Sequence, residues 1–250
     1  MTDPSGHIDG DLAFAGQQLP NTAEGSGKER MGTMHDELHD KGGSEAERFW
    51  EGHYRVRERV WSGRPNPVLV DVVGPLAPGA ALDLGCGEGG DAVWLAGRGW
   101  RVTAVDVSAI ALERASALAA EVGVEDRIDF QRHDLPLTFP VGAFDLISAQ
   151  YLHSPVELPR DRILQAAADA LAPDGLLLIV DHGSVRPWGW KRHSHRPRFS
   201  TPEEVLEGLD LDPGRWRAEI LDSPERQATG PDGLKATVTD NVIALRRLAR

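Results

Sequence analysis

The chain has 250 residues, of which 40% are hydrophobic and 26% charged, and its formal net charge is −12. This length suffices for the core of one large domain, and the negative charge disfavours general binding to nucleic acid, whose phosphates are negative too. No apolar run is long enough to span a bilayer, and no signal-peptide pattern opens the chain. Cys86 is the only cysteine, so no intrachain disulfide forms. We therefore expect a cytoplasmic protein that binds neither membrane nor nucleic acid.

The first 43 residues are predicted to form a disordered tail. They are rich in Gly, Asp, Glu, Asn and Gln and have no sustained apolar period. Such a segment cannot bury enough apolar surface to fold. Met31 and Met34 lie within it, and either could be the true start of the protein. Residues 44–250 are expected to form a single domain.

Two helices are predicted within residues 44–76, before the first strand. Ser44 and Glu47 have the spacing of a capping box, which begins the first helix. Asn66 as N-cap, followed by Pro67 at the first helical position, begins the second.

The middle of the chain alternates strands and helices. The predicted elements are a strand at 80–84, a helix at about 89–97, a strand at 101–106, a helix at about 109–122, strands at 127–132 and 144–149, a helix at about 158–172 and a strand at 175–181. Strands such as LLLIV are apolar on both faces, as a parallel sheet covered by helices requires. The pattern predicts a doubly wound α/β domain.

The last fifty residues differ from the alternating pattern. Thr201 and Pro202 begin a short predicted helix, and the runs RWRAEILDS and ATVTDNVIALRRL are predicted to be strands. A Gly/Pro turn containing TGPDGLK joins the two runs. They are expected to form an antiparallel hairpin at the edge of the sheet.

A glycine motif follows the first predicted strand. Gly85, Gly87 and Gly90 fit G-x-G-x-x-G, and Asp106 follows about 20 residues later, as in dinucleotide-binding folds. However, Asp83 stands two residues before the first glycine, where those folds ordinarily have an apolar residue. A carboxylate there would repel a pyrophosphate but would suit an ammonium group. An NAD(P)-binding oxidoreductase is therefore the less favoured alternative.

With Asp83, Gly85, Gly87 and Gly89, the run LDLGCGEGG resembles the D-x-G-x-G-x-G signature of class I S-adenosylmethionine-dependent methyltransferases. The resemblance continues in order through VTAVDVS, RHDL, FDLISAQYLH and LAPDGLLLIVD. It implies a Rossmann-like, mostly parallel sheet with an antiparallel C-terminal hairpin, and S-adenosylmethionine as cofactor.

Within this superfamily, the chain resembles the small-molecule group that includes tellurite-resistance and thiopurine methyltransferases. In such enzymes the N-terminal helices form a lid over the cofactor. The resemblance makes Tyr54, Trp61 and Arg64 candidate lid residues, since an aromatic face attracts a sulfonium and an arginine binds a carboxylate. The alternative is that the aromatic residues only attach the two helices to the sheet.

The resemblance places ten further residues at the cofactor: Asp83, Gly85, Cys86, Gly87, Gly89, Asp106, Val107, Asp134, Leu135 and Gln150. Asp83 would act near the methionine ammonium group, and Asp106 would accept both ribose hydroxyls. Asp134 would accept the adenine amine while Val107 packs on the ring. Each acid also has a structural alternative: Asp83 could cap the turn, Asp106 the next helix, and Asp134 could be a solvated loop residue. Cys86 is expected to be a small buried residue and not a nucleophile.

The acceptor of the methyl group is expected beyond the fourth and fifth strands, where parallel sheets bind ligands. Gln150 and His153 follow the fourth strand, and Asp181 and His182 end the fifth. If the acceptor must lose a proton, His153 and His182 are the candidate bases. The run SAQYLH lacks the Pro-Pro-aromatic pattern of enzymes that methylate adenine in nucleic acid.

The segment DHGSVRPWGWKRHSHRPRFS, residues 181–200, is rich in Trp, His and Arg. His193 and His195 are too weak a signal for a metal site, and no metal is expected. The segment is expected to form a pocket or cap for an anionic or aromatic acceptor. Altogether the sequence predicts methyl transfer to a small molecule, with a non-catalytic cofactor-binding module as an alternative. It does not indicate the acceptor or the oligomeric state.

Overall fold

The computed structural model describes residues 43–185, 187, 199–230 and 233–249. The helices are α1 (Glu45–Arg55), α2 (Pro67–Val73), α3 (Gly90–Gly97), α4 (Ala109–Glu121), α5 (Arg160–Ala170) and α6 (Pro202–Gly208). The strands are β1 (Ala80–Leu84), β2 (Arg101–Asp106), β3 (Ile128–Arg132), β4 (Phe144–Gln150), β5 (Leu171–His182), β6 (Trp216–Asp222), β7 (Glu225–Thr229) and β8 (Lys235–Arg247). The predicted tail, apart from Gly43, and most of the predicted cap segment lie outside the described residues.

The strands form one sheet in the order β3-β2-β1-β4-β5-β8-β6, with β7 paired to β8. The first five strands are parallel, whereas β8 runs antiparallel to both β5 and β6. The order reverses between β1 and β4, so the carboxyl ends of these two strands flank a crevice. The prediction of a doubly wound, mostly parallel sheet with antiparallel C-terminal strands is confirmed.

The core lies on both faces of the sheet. Along β5, Leu176 and Leu178 belong to the core cluster on the face of the sheet that α3 covers, and Leu177 and Ile179 belong to the cluster on the face that α5 covers. All four side chains are buried. Because alternate residues of a strand point to opposite faces, a continuous apolar run is what a sheet covered on both sides needs.

Both helix starts have their predicted N-caps, but only the Ser44 half of the predicted capping box forms in the described structure. Ser44 Oγ accepts from the backbone N–H of Glu47 at 3.0 Å, and Asn66 Oδ1 accepts from that of Val68 at 2.9 Å. The Glu47 carboxylate also pairs with Arg132 of β3, which attaches α1 to the sheet.

The C-terminal hairpin is longer than predicted. The predicted pair of strands corresponds to β6 and β8, and Ser223 and Pro224 interrupt the first strand because proline has no N–H for the ladder. The chain then pairs again with β8 as β7, which the polar run ERQAT did not indicate. Since β5 ends opposite Asp240, β7 and the first residues of β8 extend beyond the carboxyl end of β5.

Within the described ranges, no helix is both long and apolar enough to cross a membrane.

Candidate functional site

A pocket of about 300 Å³ opens at the carboxyl ends of β1, β2, β4 and β5, beneath α1 and the segment that links it to α2. Every predicted cofactor-binding or catalytic residue lines this pocket except Gly89, and Asp181, expected on the acceptor side, does not line it either. Gly89 lies behind the turn as the N-cap of α3, with a φ of +84°. A Cβ there would lie 2.7 Å from Cβ of Ala115, so this glycine allows α3 and α4 to pack closely.

The glycine turn is tied to the end of β2 by the Asp106 carboxylate. The backbone N–H of Gly87 donates to Oδ2 of Asp106 at 3.0 Å, and that of Ser108 donates to Oδ1 at 2.9 Å. Gly87 has a φ of +53°, and a Cβ on it would lie 3.0 Å from Nε1 of Trp61. Burial raises the pKa of Asp106 to about 6, and the backbone donors partly oppose this rise.

Asp83 is a buried acid at the end of β1. Asp83 is 2% exposed, and its Oδ2 has no hydrogen-bond partner within the described structure. Burial raises the pKa of this carboxyl well above its ordinary value, and the nearby charges of Asp91 and Asp106 raise it further. A buried oxygen of this kind favours a ligand that donates hydrogen bonds or carries positive charge.

Cys86 lies within the turn, and its backbone N–H donates to Val105 O at 2.9 Å. Burial raises the pKa of its thiol well above the ordinary value, with the charges of Asp106 and Asp83 adding to the effect. A thiol that resists ionisation is a poor nucleophile, as expected, although Cys86 is half-buried and lines the pocket where a buried residue was expected.

The segment after α1 is fastened over the glycine turn. The indole N–H of Trp61 donates to the hydroxyl of Tyr54 at 2.9 Å. The Glu88 carboxylate accepts from the backbone N–H groups of Val60 and Trp61 at 2.8–3.2 Å. Arg114 of α4 donates to Glu88 at 2.7 Å and also to two backbone carbonyls, that of Tyr54 in the last turn of α1 and that of Arg57 just after the helix. The sequence prediction missed Glu88 and Arg114, although Glu88 stands within the glycine motif.

The adenine side predicted from RHDL is a turn that follows β3. The backbone N–H of His133 donates to Asp106 O at 3.0 Å, and that of Leu137 donates to Asp134 O at 2.8 Å. These bonds hold Asp134 and Leu135 beside Val107 in the pocket wall.

The opposite end of the pocket lies past β4 and β5 and holds both predicted histidines. The His182 ring stacks on Tyr151 with 4.3 Å between ring centroids, and the His153 ring centroid lies 5.8 Å from that of His182. Tyr151 has a φ of +50°, a conformation that is costly for a non-glycine residue and is often found at functional sites. Gln150 Oε1 is buried without a hydrogen-bond partner within the described structure.

Two buried carboxylates at this end pair with arginines. Asp181 accepts from Arg160 of α5 at 2.5–2.6 Å, and its Oδ1 lies 3.2 Å from Nε2 of His153. Asp240 pairs with Arg226 of β7, whose Nη2 donates to the Tyr151 hydroxyl at 3.3 Å. The sequence prediction missed both arginines and Asp240.

The residues present fit S-adenosylmethionine. The buried Asp106 carboxylate suits two ribose hydroxyls, and the buried Oδ2 of Asp83, which has no partner within the described residues, suits the ammonium group. The aromatic side chains of Tyr54 and Trp61 lie against Gly87 of the glycine turn. His193 and His195, which were too weak a signal to predict a metal site, lie outside the described residues.

Comparisons with known proteins agree with this geometry. A family model described as a methyltransferase domain matches residues 81–175. Thiocyanate methyltransferase 1 of Arabidopsis thaliana is 30% identical over 167 residues, which cover 63% of this chain and 70% of that protein. The probable chloroplastic tocopherol O-methyltransferase of Oryza sativa subsp. japonica is 35% identical over 115 residues, 44% of this chain and 31% of that protein.

The chain spans about a third of the length of the first curated relatives that it matches. Among solved structures, TehB from Haemophilus influenzae has a TM-score of 0.57 and 17% identity over 74% of this chain and 62% of that chain. At this identity the likeness concerns the fold.

Proposed function

Because the chain belongs to the class I S-adenosylmethionine-dependent methyltransferases, we propose that it transfers the cofactor's methyl group to a small-molecule acceptor. S-adenosylmethionine is the cofactor of this family. The observation that carries the proposal is the pair of buried carboxylates, Asp83 and Asp106, at the ends of adjacent strands on either side of the glycine turn.

In this proposal the ribose hydroxyls bind Asp106, and the methionine end binds between Asp83 and the lid residue Arg64. Val107, with Asp134 and Leu135, encloses the adenine. When bound, S-adenosylmethionine supplies an already activated methyl group. The protein therefore needs mainly to exclude water and to hold the acceptor in line with that group.

The acceptor is proposed to bind at the end of the pocket formed by Tyr151, His182 and Phe199. Phe199 lies edge-on to His182 at 6.5 Å between centroids, so this end presents aromatic surface. It also holds two imidazoles, which suit an acceptor that must lose a proton. A small-molecule acceptor is in keeping with the names of the rice and Arabidopsis relatives, which specify tocopherol and thiocyanate.

Isothermal titration calorimetry of the full chain with S-adenosylhomocysteine and with NAD separates this proposal from a dehydrogenase. We expect binding of S-adenosylhomocysteine and none of NAD. Tight NAD binding without a response to S-adenosylhomocysteine would overturn the proposal.

Transfer itself is tested with methyl-labelled S-adenosylmethionine and a panel of phenols, hydroxyquinolones, thiols and thiocyanate. We expect label in at least one product. Asp106→Ala, which removes the ribose acceptor, is expected to abolish that signal, whereas the exposed Asp126→Asn is expected to retain it. Cofactor binding with no labelled product across the panel would instead favour a non-catalytic binding module.

A further inference from the structure

We infer that Asp91 is a second carboxylate at the methionine end of the cofactor, where it binds the ammonium group together with Asp83 and makes that positive charge a requirement for tight binding. This inference rests on the proposed function. It goes further by adding a binding residue that the glycine motif did not predict and by assigning it one chemical group of the ligand.

Asp83 and Asp91 lie on either side of the glycine turn and line the same pocket. Asp83 is the last residue but one of β1, and Asp91 is the second residue of α3. After burial, the charge of Asp91 is the effect that raises the pKa of the Asp83 carboxyl most, ahead of the charge of Asp106. The two carboxylates are therefore neighbours that repel each other when both are ionised.

The described part of the chain supplies no cation to this pair. Neither carboxylate forms an ion pair with an arginine or lysine there, whereas the buried acids Glu88 and Asp240 each pair with an arginine. Oδ2 of Asp83 has no hydrogen-bond partner within the same ranges, and the residue is 2% exposed. Buried carboxylates without a cation or donors are costly, so a ligand that brings both would be stabilised here.

Asp91 also has two structural roles. As an acid in the first turn of α3 it complements the helix dipole, and its Oδ1 accepts from the backbone N–H of Asn66, the N-cap of α2, at 2.6 Å. Neither role requires a second carboxylate beside it. The bond from Asn66 uses Oδ1, so Oδ2 can meet a ligand in the pocket.

An ammonium group matches this pair because it has three N–H donors and no acceptor. It can donate to Oδ2 of Asp83 and to Oδ2 of Asp91 at the same time, and its charge offsets the repulsion between them. A ligand without the amino group would leave the two carboxylates unpaired. We therefore expect recognition of the methionine end to depend on its amine.

Calorimetry of the full chain at pH 8 compares S-adenosylhomocysteine with its analogue in which hydrogen replaces the amino group. Asparagine at position 91 keeps an oxygen for the N–H of Asn66 but loses the charge. Asp91→Asn is expected to bind S-adenosylhomocysteine about 10- to 100-fold more weakly, whereas its affinity for the analogue should not fall. Asp71→Asn, an exposed acid on α2, is the control and is expected to change neither affinity.

The cofactor-free protein gives a second readout. Burial raises the pKa of Asp91 to about 6, although the bond from Asn66 opposes the rise. At pH 8 the ionised carboxylate is therefore less favourable in the folded protein than in the unfolded chain. Asp91→Asn removes this cost, so scanning calorimetry should show a melting temperature at least equal to that of the parent.

A lower melting temperature together with an equal loss of affinity for both ligands would show that Asp91 only fastens α2, and would overturn the inference. An affinity for S-adenosylhomocysteine that is unchanged or increased in Asp91→Asn would overturn it as well. Asp91→Ser, whose hydroxyl can also accept from Asn66, replaces Asp91→Asn if that variant does not fold. A parent that binds neither ligand would refute the proposed function and this inference together, whereas the outcomes above refute the inference alone.

Discussion

The backbone N–H of Gly87 and the carboxylate of Asp106 are 3.0 Å apart and hydrogen-bonded, which joins the turn after β1 to the end of β2. The same carboxylate accepts from Ser108 N at 2.9 Å, so two backbone groups fix its orientation. Asp106 therefore shapes the glycine turn and also presents the proposed ribose acceptor. A substitution there has two separable effects.

The first prediction separates these effects with Asp106→Asn and Asp106→Ala. Asparagine can still accept one backbone bond, so we expect it to preserve most of the melting temperature. It leaves one ribose hydroxyl without its charge-assisted bond, worth about 1.5–3 kcal/mol, and calorimetry should show S-adenosylhomocysteine bound about 10- to 100-fold more weakly. Alanine should lose the affinity and also several degrees of melting temperature. The inference fails if Asp106→Asn binds like the parent.

The second prediction concerns pH and uses the raised pKa of Asp106, about 6, against an ordinary value of about 3.9. Between these values the folded protein binds a proton that the unfolded chain does not, so the free energy of unfolding rises as pH falls from about 7 to 5. Asp91, also with a pKa of about 6, acts in the same direction. The ribose needs the ionised carboxylate, so cofactor affinity should fall over the same range.

Both pH dependences are tested between pH 7.5 and 5, with Asp106→Asn as reference. Scanning calorimetry of the cofactor-free protein follows stability, and titration with S-adenosylhomocysteine follows affinity. The melting temperature of the parent should rise relative to the variant as pH falls, while its affinity decreases. A parent whose affinity and relative melting temperature both stay constant down to about pH 5 would contradict a raised pKa at Asp106.

The residues of the proposed cofactor end could be named from the sequence because the signals for them are local. Asp83, the glycines and Asp106 lie within one strand-turn-helix-strand unit, whose geometry is common to such folds. The residues of the proposed acceptor end are brought together by the register between strands that are far apart in the sequence. Arg226 reaches Tyr151 only because β7 resumes after Pro224 and pairs with β8 beyond the end of β5. The run ERQAT has no residue pattern that indicates this pairing.

The same reasoning explains why the attachment of the proposed lid, the segment after α1, was missed. Glu88 binds a backbone segment 27 to 28 residues earlier, and Arg114 reaches carbonyls 57 to 60 residues away. Bonds to backbone groups need no matching side chain, so the sequence carries no partner that could have revealed them.

The third prediction is that Arg114→Met loosens the segment proposed as a lid. Glu88, 5% exposed, would keep its charge without its guanidinium partner, and the carbonyls of Tyr54 and Arg57 would lose a donor. We expect a loss of roughly 3 kcal/mol in the free energy of unfolding. S-adenosylhomocysteine should also dissociate faster in stopped-flow measurements. Arg162→Met on the exposed face of α5 is the control, and an equal dissociation rate in both variants would show that the lid does not depend on Arg114.

The fourth prediction uses Arg226 and Asp240 to separate stability from acceptor chemistry. Arg226→Met leaves the Asp240 carboxylate, 2% exposed, without its partner, and we expect the free energy of unfolding to fall by about 3–5 kcal/mol. In the double variant Arg226→Met/Asp240→Asn the buried charge is gone, so chemical denaturation should show most of that stability restored.

Activity should not recover with stability in the double variant. The Tyr151 hydroxyl still lacks the donor that Arg226 provides at 3.3 Å, and the stacked pair of Tyr151 and His182 loses its anchor to the hairpin. Methyl transfer should remain slow, while S-adenosylhomocysteine binds as tightly as in the parent, because Arg226 lies at the acceptor end. A double variant that regains both stability and the parent's transfer rate would show that the hairpin only stabilises the fold. A loss of cofactor affinity would instead place Arg226 at the other end of the pocket.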